Sequence, residues 1–223
     1  MLRSLILRPA TLAICAAALL AVIPAQAQFS GPPPTTQVHD PAALKPPAGA
    51  RVAIIEFEDM ECPDCRAANP LLREASAKYN IPWVRHDFPL PFHAWSFQAA
   101  VNARWFDAQP THAGNDYRDA IFANQRSIET VSDLNQFTAN YAKQHGIALP
   151  FAIDPQGALL NAVKTDIAFA DSLGVHQTPT LYIVTDRTGG AAQYVEVTDF
   201  NKLYVMLDQA IAQTSTSKPP KNK

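Results

Sequence analysis

Apolar runs and helical periodicities alternate along the chain. Arg51–Phe57 is short, apolar and rich in β-branched residues, the pattern of a buried central strand. An acidic stretch, Glu58 to Glu61, follows, and then Cys62-Pro63-Asp64-Cys65. Proline suits the first helical position, and Ala67, Ala68, Leu71, Leu72 and Ala75 supply an apolar stripe. A helix is therefore predicted from the cysteines to near Asn80, kinked at Pro70. Ile81–Asp87 reads as a second strand, with Pro82 near its start where proline is tolerated. From His93 to Leu173 the period is helical, with candidate helices at about His93–Ala108, Asn115–Asn124, Ser132–Gln144 and Gln156–Leu173. Thr130 or Ser132 caps the third and Gly146 stops it; Asp154-Pro155 starts the fourth and Gly174 stops it. Thr180–Thr185 is a strand, Asp186 to Gly190 a hairpin turn, Tyr194–Val197 a return strand, and Asn201–Ala212 a closing amphipathic helix. The order β, α, β, several helices, β, β, α predicts an α/β domain over residues 51–213 with a helical lobe inserted at about 93–173.

The ends of the chain read differently. Arg3 and Arg8 precede an apolar run, Thr11 to Pro24, that ends in Ala25-Gln26-Ala27. A basic start, a short hydrophobic core and small residues at −3 and −1 predict a secretory signal peptide over 1–27, cleaved near Ala27-Gln28. The alternative, a membrane anchor, needs about 20 apolar residues, and Leu12 to Ile23 is shorter. Residues 28–50 hold six prolines and read as an extended leader with little to pack; a recognition segment is the alternative. Residues 214–223 form a polar tail. The whole chain has 223 residues, is 48% hydrophobic and carries a formal net charge of −2, so it lacks the basic field that nucleic-acid binding needs. Three cysteines are too few for a disulfide-stapled scaffold, and one of them, Cys15, lies in the signal. Only Cys62 and Cys65 remain for chemistry in an exported protein.

Cys-x-x-Cys directly after a strand and at the start of a helix is the context in which this spacing means redox chemistry. The first sulfur sits near unpaired helix amides and the positive end of the macrodipole, which favours thiolate. Two intervening residues let the second sulfur reach the first and resolve a mixed disulfide. A structural disulfide and half of a zinc site are the alternatives, but zinc wants four ligands and the chain has no second pair. No metal site is predicted.

With these residues in place, the sequence resembles the thioredoxin superfamily, and within it the DsbA-like thiol:disulfide oxidoreductases, over about Arg51 to Ala212. Glu56 stands on the strand six residues before Cys62, where that family keeps a buried, proton-shuttling carboxylate. Pro70 matches the helix proline of many thioredoxin-like chains. Thr178-Pro179-Thr180 resembles the loop whose cis-proline faces the cysteines and binds a substrate strand. The phrase Phe88-Pro-Leu-Pro-Phe-His93 and the lobe after it resemble the bacterial DsbA-like branch. The resemblance implies Cys62 as nucleophile, Cys65 as resolver, protein thiols and disulfides as substrates, a membrane or soluble redox partner, a periplasmic location and no cofactor beyond the disulfide itself. It also implies a monomer, since the leader is too short for the dimerising domain of the periplasmic isomerases. In an apolar strand Glu56 is expected to have a raised pKa; an edge position would leave it solvated. Pro179 has no amide hydrogen, which leaves the Thr178 carbonyl or amide for a substrate strand.

Pro63 and Asp64, between the cysteines, tune the pair. The best-known DsbA enzymes have histidine where this chain has Asp64, and Glu58, Asp59 and Glu61 add negative charge. Anions oppose a thiolate, so a less oxidising disulfide is expected. His86 and His93 suit surface or packing roles, and His176, beside the Thr-Pro loop, is a candidate for touching the site. Two other functions fit the pair: a thioredoxin-like copper carrier using the reduced cysteines, with Met60 nearby, or a static disulfide in a fold-only protein.

Overall fold

A central strand with seven buried residues organises the domain. It is β1, Val52–Glu58, flanked by a parallel β2, Trp83–Asp87, and an antiparallel β3, Thr180–Thr185; β4, Tyr194–Glu196, pairs antiparallel with β3 at the edge. The computed structural model describes residues 37–186 and 193–215. The expected signal peptide, most of the hairpin turn after Asp186 and nearly all of the polar tail lie outside them.

Both faces of the sheet are covered, which is why β1 and β3 read as continuous apolar runs rather than alternating ones. Val52, Ile54, Leu181 and Ile183 point to one face, packed by α1, Pro63–Tyr79, and by the C-terminal helix, here α6, Leu203–Ser215. Ala53, Ile55, Phe57, Tyr182 and Val184 point to the other, packed by Ala170 and Leu173 of α5, Ala158–Leu173. The remaining helices, α2 (Ser96–Asp107), α3 (Gly114–Asn124) and α4 (Val131–Gln144), lie with α5 between β2 and β3 in sequence. They share a core of their own around Phe106, Tyr117, Ile121 and Leu134, and that core reaches Met60, Cys62 and Cys65. The thiol pair thus sits on the seam between the sheet and the lobe.

Several local signals act as their residue types dictate. Thr130 caps α4 in a reciprocal capping box with Asp133. Gly174, at φ +80°, ends α5 in the left-handed conformation, and Asn80 ends α1 in the same way. The helix α1 continues through Pro70, which is exposed.

Three features differ from the expectation. The helix α2 starts at Ser96 rather than His93, because the Glu61 carboxylate accepts from the Trp95 and Ser96 amides at 2.7 and 3.1 Å and fixes its first turn. Asp154-Pro155 does not begin α5; Gly157 is its N-cap, while the Asp154 carboxylate still accepts from the Leu160 amide at 2.8 Å. The described part of the leader packs rather than trailing away. Leu44 is fully buried among Leu173, Val175 and Val184, and the His39 amide donates to the Leu173 carbonyl at 3.3 Å.

Candidate active site

Cys62 is the N-cap residue of α1, in extended conformation (φ −71°, ψ 123°), with Pro63 at the first helical position. That geometry leaves the first-turn amides without partners inside the helix, at the end of the chain turn that carries the Cys62 sulfur. The Cys62 thiol is 6% exposed and donates to the Thr178 carbonyl at 3.3 Å. Its pKa falls from 9.0 to about 6. The hydrogen bond from the Cys65 thiol is the largest cause; burial opposes it, and Thr178 and the Cys65 and Asp64 amides add to it. Cys65 is fully buried in the first turn and its thiol is held well above the ordinary range, by burial first and then by its donation to Cys62. The Asp59 amide donates to the Cys65 sulfur at 3.4 Å. Both cysteines are thiols in this structure.

Glu56 lies on the α1-facing side of β1, in register with Arg85 on one neighbour and Leu181 on the other, so it is not on an edge. It is 1% exposed; Trp83 donates its indole N–H to one carboxylate oxygen at 2.8 Å, and the other oxygen has no hydrogen-bond partner. Burial raises its pKa from 4.5 to about 8, with the Glu58 charge adding to the rise and the Arg85 charge and the Trp83 bond opposing it. The Glu56 charge adds to the rise of the Cys65 thiol, and the Cys62 charge adds to the rise of Glu56.

The Thr178-Pro179 peptide is cis, and Thr178 is buried with Pro179 partly exposed. The Thr178 carbonyl, expected to await a substrate strand, accepts from the reduced Cys62 thiol instead. Pro63 is exposed and Asp64 partly so; Asp64 lowers the Cys62 pKa through its amide. His176 is exposed, while His86 stacks on Phe57 at 5.2 Å and bonds Asp166 at 3.0 Å, a packing role.

The acidic stretch is not the open negative field that its sequence suggests. Glu58 is buried under a bidentate Arg85 and beside Arg118. Asp59 is buried and accepts from the Leu90 and Glu61 amides and from His93 Nδ1, each at 2.7 Å. Glu61 holds α2. Each anion is matched locally, so the thiolate meets far less repulsion than the composition implies. Arg118 also binds Asp87 at 2.9 Å, and Arg104 binds Asp87 at 2.6 Å, extending a buried ion network from the sheet into α2 and α3. One further contact had no signal in the sequence. Gln125, just after α3, donates its side-chain amide to the Met60 carbonyl at 2.8 Å and to the Cys62 carbonyl at 2.9 Å.

A strand, a cysteine-capped helix and a cis-proline loop meeting at one thiol pair form an arrangement with known relatives. The thioredoxin family model matches residues 48–200. The chain belongs to the thioredoxin family. Among solved structures, the fold is similar to α-DsbA1 of Wolbachia pipientis, at TM-score 0.62 and 15% identity over 83% of this chain and 96% of that one. The thiol-disulfide exchange protein α-DsbA2 of the same organism matches at TM-score 0.58 and 20% identity, covering 74% and 84%. Pseudomonas aeruginosa DsbA2 matches at 0.54 and 23%, covering 80% and 95%. These likenesses show a DsbA-like thioredoxin fold. No curated protein matches the sequence significantly.

Proposed function

We propose that this thioredoxin-family chain is an exported thiol:disulfide oxidoreductase that exchanges disulfides with protein thiols through Cys62 and Cys65. The observation that carries the reading is the division of labour within the pair: Cys62 is held near pKa 6 at a helix N-terminus, while Cys65 is buried and held protonated. The similarity in fold to a protein described as a thiol-disulfide exchange protein supports it.

In the reducing direction, the Cys62 thiolate attacks one sulfur of a substrate disulfide. A Cys62–substrate disulfide forms, the substrate S–S bond breaks, and the departing sulfur leaves as a thiolate that takes a proton from water. Glu56 then takes the Cys65 proton, which a carboxylate with a pKa of about 8 can both accept and return near neutrality. Cys65, now a thiolate, attacks the Cys62 sulfur; the intramolecular disulfide closes and the mixed disulfide breaks. The second substrate sulfur leaves as a thiolate that is protonated as Glu56 gives up its proton through solvent. Two electrons and two protons pass to the substrate; the oxidising direction is the reverse. Thr178 and Pro179 line the approach of the substrate strand, and losing the Cys62 proton releases the Thr178 carbonyl to accept from it. Pro63 and Asp64 set the first-turn geometry. The electrons reside in the cysteines, so no further cofactor is needed. A membrane or soluble redox partner resets the pair. Arg3, Arg8 and the Ala25-Gln26-Ala27 ending support export by signal-peptide cleavage.

A Cys62 pKa of about 6 stabilises the dithiol at pH 7 by about 1.4 kcal/mol relative to an ordinary thiol, which makes the couple ~30 mV more oxidising. Equilibration with mixed reduced and oxidised glutathione tests the reading. The expected result is one reversible two-electron transition confined to Cys62 and Cys65. A pair that stays reduced, or stays oxidised, at every glutathione ratio would contradict it.

A further inference from the structure

The inserted lobe reaches the thiol pair through one polar side chain. Gln125 is 9% exposed, in the short turn Gln125–Ser127 that ends α3, and is remote in sequence from the cysteines. Its amide nitrogen has two hydrogens, and each meets a carbonyl oxygen, of Met60 at 2.8 Å and of Cys62 at 2.9 Å. Since both partners can only accept, the orientation of the carboxamide is fixed by its surroundings.

The two carbonyls are not arbitrary ones. Cys62 is the N-cap, and its carbonyl also accepts the first intrahelical bond of α1, from the Arg66 amide at 3.2 Å. Whatever holds that carbonyl holds the plane of the Cys62-Pro63 peptide, and with it the direction in which the Asp64 and Cys65 amides point. Met60 stands at the other side of the turn that carries Cys62, a turn closed by the Cys62 amide donating to the Asp59 carbonyl at 3.0 Å. A side chain bonded to both carbonyls therefore fixes the approach to the helix and its first residue together. No other part of the lobe is shown to hydrogen-bond these carbonyls among the described residues.

We infer that Gln125 is a positioning residue for disulfide exchange: its carboxamide clamps the Met60 and Cys62 carbonyls and so aims the first-turn amides at the reactive sulfur. The lobe then does more than extend the fold. It sets the redox poise of the pair from outside the strand–helix unit that carries the cysteines. The inference rests on the exchange function proposed above.

Gln125→Met keeps length and volume and removes both donors; Gln125→Glu puts acceptor oxygens against the two carbonyls. The thiolate ultraviolet absorbance of Cys62 against pH, and the equilibrium with glutathione at pH 7, are measured on each full chain beside the wild type, with thermal unfolding of the reduced proteins alongside. Gln125→Met is expected to raise the Cys62 pKa by about one unit and to lower the constant for reduction of the disulfide by glutathione about fivefold. Gln125→Glu is expected to move both further in the same direction. Variants that unfold at lower temperature but keep the wild-type titration and glutathione constant would reduce Gln125 to a packing residue and overturn the inference. A wild type that forms no glutathione-reversible disulfide would overturn the exchange reading, and this inference with it.

Discussion

Glu56→Gln should stabilise the reduced protein, and the gain should depend on pH. The wild-type carboxyl is raised from 4.5 to about 8, with burial the leading cause. Neutral Glu56 is compatible with the folded chain, so its contribution is complete below the ordinary carboxylate pKa and is lost as pH rises through the folded value. At ~1.4 kcal/mol per pKa unit the ceiling is about 5 kcal/mol, approached above pH 8, and about 3 kcal/mol applies at pH 7. Glutamine keeps the size and an acceptor for the Trp83 indole but never ionises. Urea unfolding in a thiol-free reductant at pH 4, 6, 7 and 8 measures the difference between wild type and variant. The titration of Cys62 is common to both chains, so it largely cancels. The difference should be small at pH 4 and grow to about 3 kcal/mol in favour of the variant at pH 7. The same variant should resolve mixed disulfides more slowly, because an amide cannot accept the Cys65 proton. Equal stabilities from pH 4 to 8, or a variant less stable at pH 7, would refute the buried, raised carboxyl.

Alkylation of the reduced chain should follow a single thiolate with a midpoint near pH 6, assigned by peptide mapping to Cys62, while Cys65 stays unmodified through neutral pH. Arg118→Met should cost about 3–5 kcal/mol in denaturant unfolding, because it leaves the buried Glu58 and Asp87 carboxylates short of a partner. Leu44→Ala should cost about 2–4 kcal/mol by the same measurement, since that side chain fills the sheet face beside α5; no loss would mean the leader does not dock there.

What could be read from the sequence follows the reach of local physics. The apolar runs of β1 and β3 are legible because burial on both faces removes alternation, and Cys62-Pro63 announces its helix because proline favours the first turn. The family resemblance at Glu56 and Thr178-Pro179 rested on spacing around the same elements. The fate of the acidic run was hidden. Glu58, Asp59 and Glu61 look like free anions in a row, yet their partners are Arg85 and Arg118, the Leu90 amide with His93, and the first turn of α2. No local pattern encodes pairs brought together by the fold. Gln125 was invisible for the same reason: a lone glutamine after a helix has no periodicity, and only the packing of α3 against the cysteine turn gives it two carbonyls. At Asp154 the local signal was real but misplaced, since a carboxylate that reaches the Leu160 amide serves the helix without being its cap. Leu44 was obscured by its prolines, which argue for extension and say nothing of where an extended segment lies.

The central claim is that Cys62 attacks and Cys65 resolves. Its most direct measurement is trapping with a protein disulfide substrate such as insulin, using Cys65→Ala and Cys62→Ala chains quenched in acid and mapped by mass spectrometry. The account predicts a stable mixed disulfide at Cys62 in the chain lacking Cys65, and none in the chain lacking Cys62, whose remaining thiol is buried and protonated. Mixed disulfides formed equally by both chains, or by neither, would contradict it.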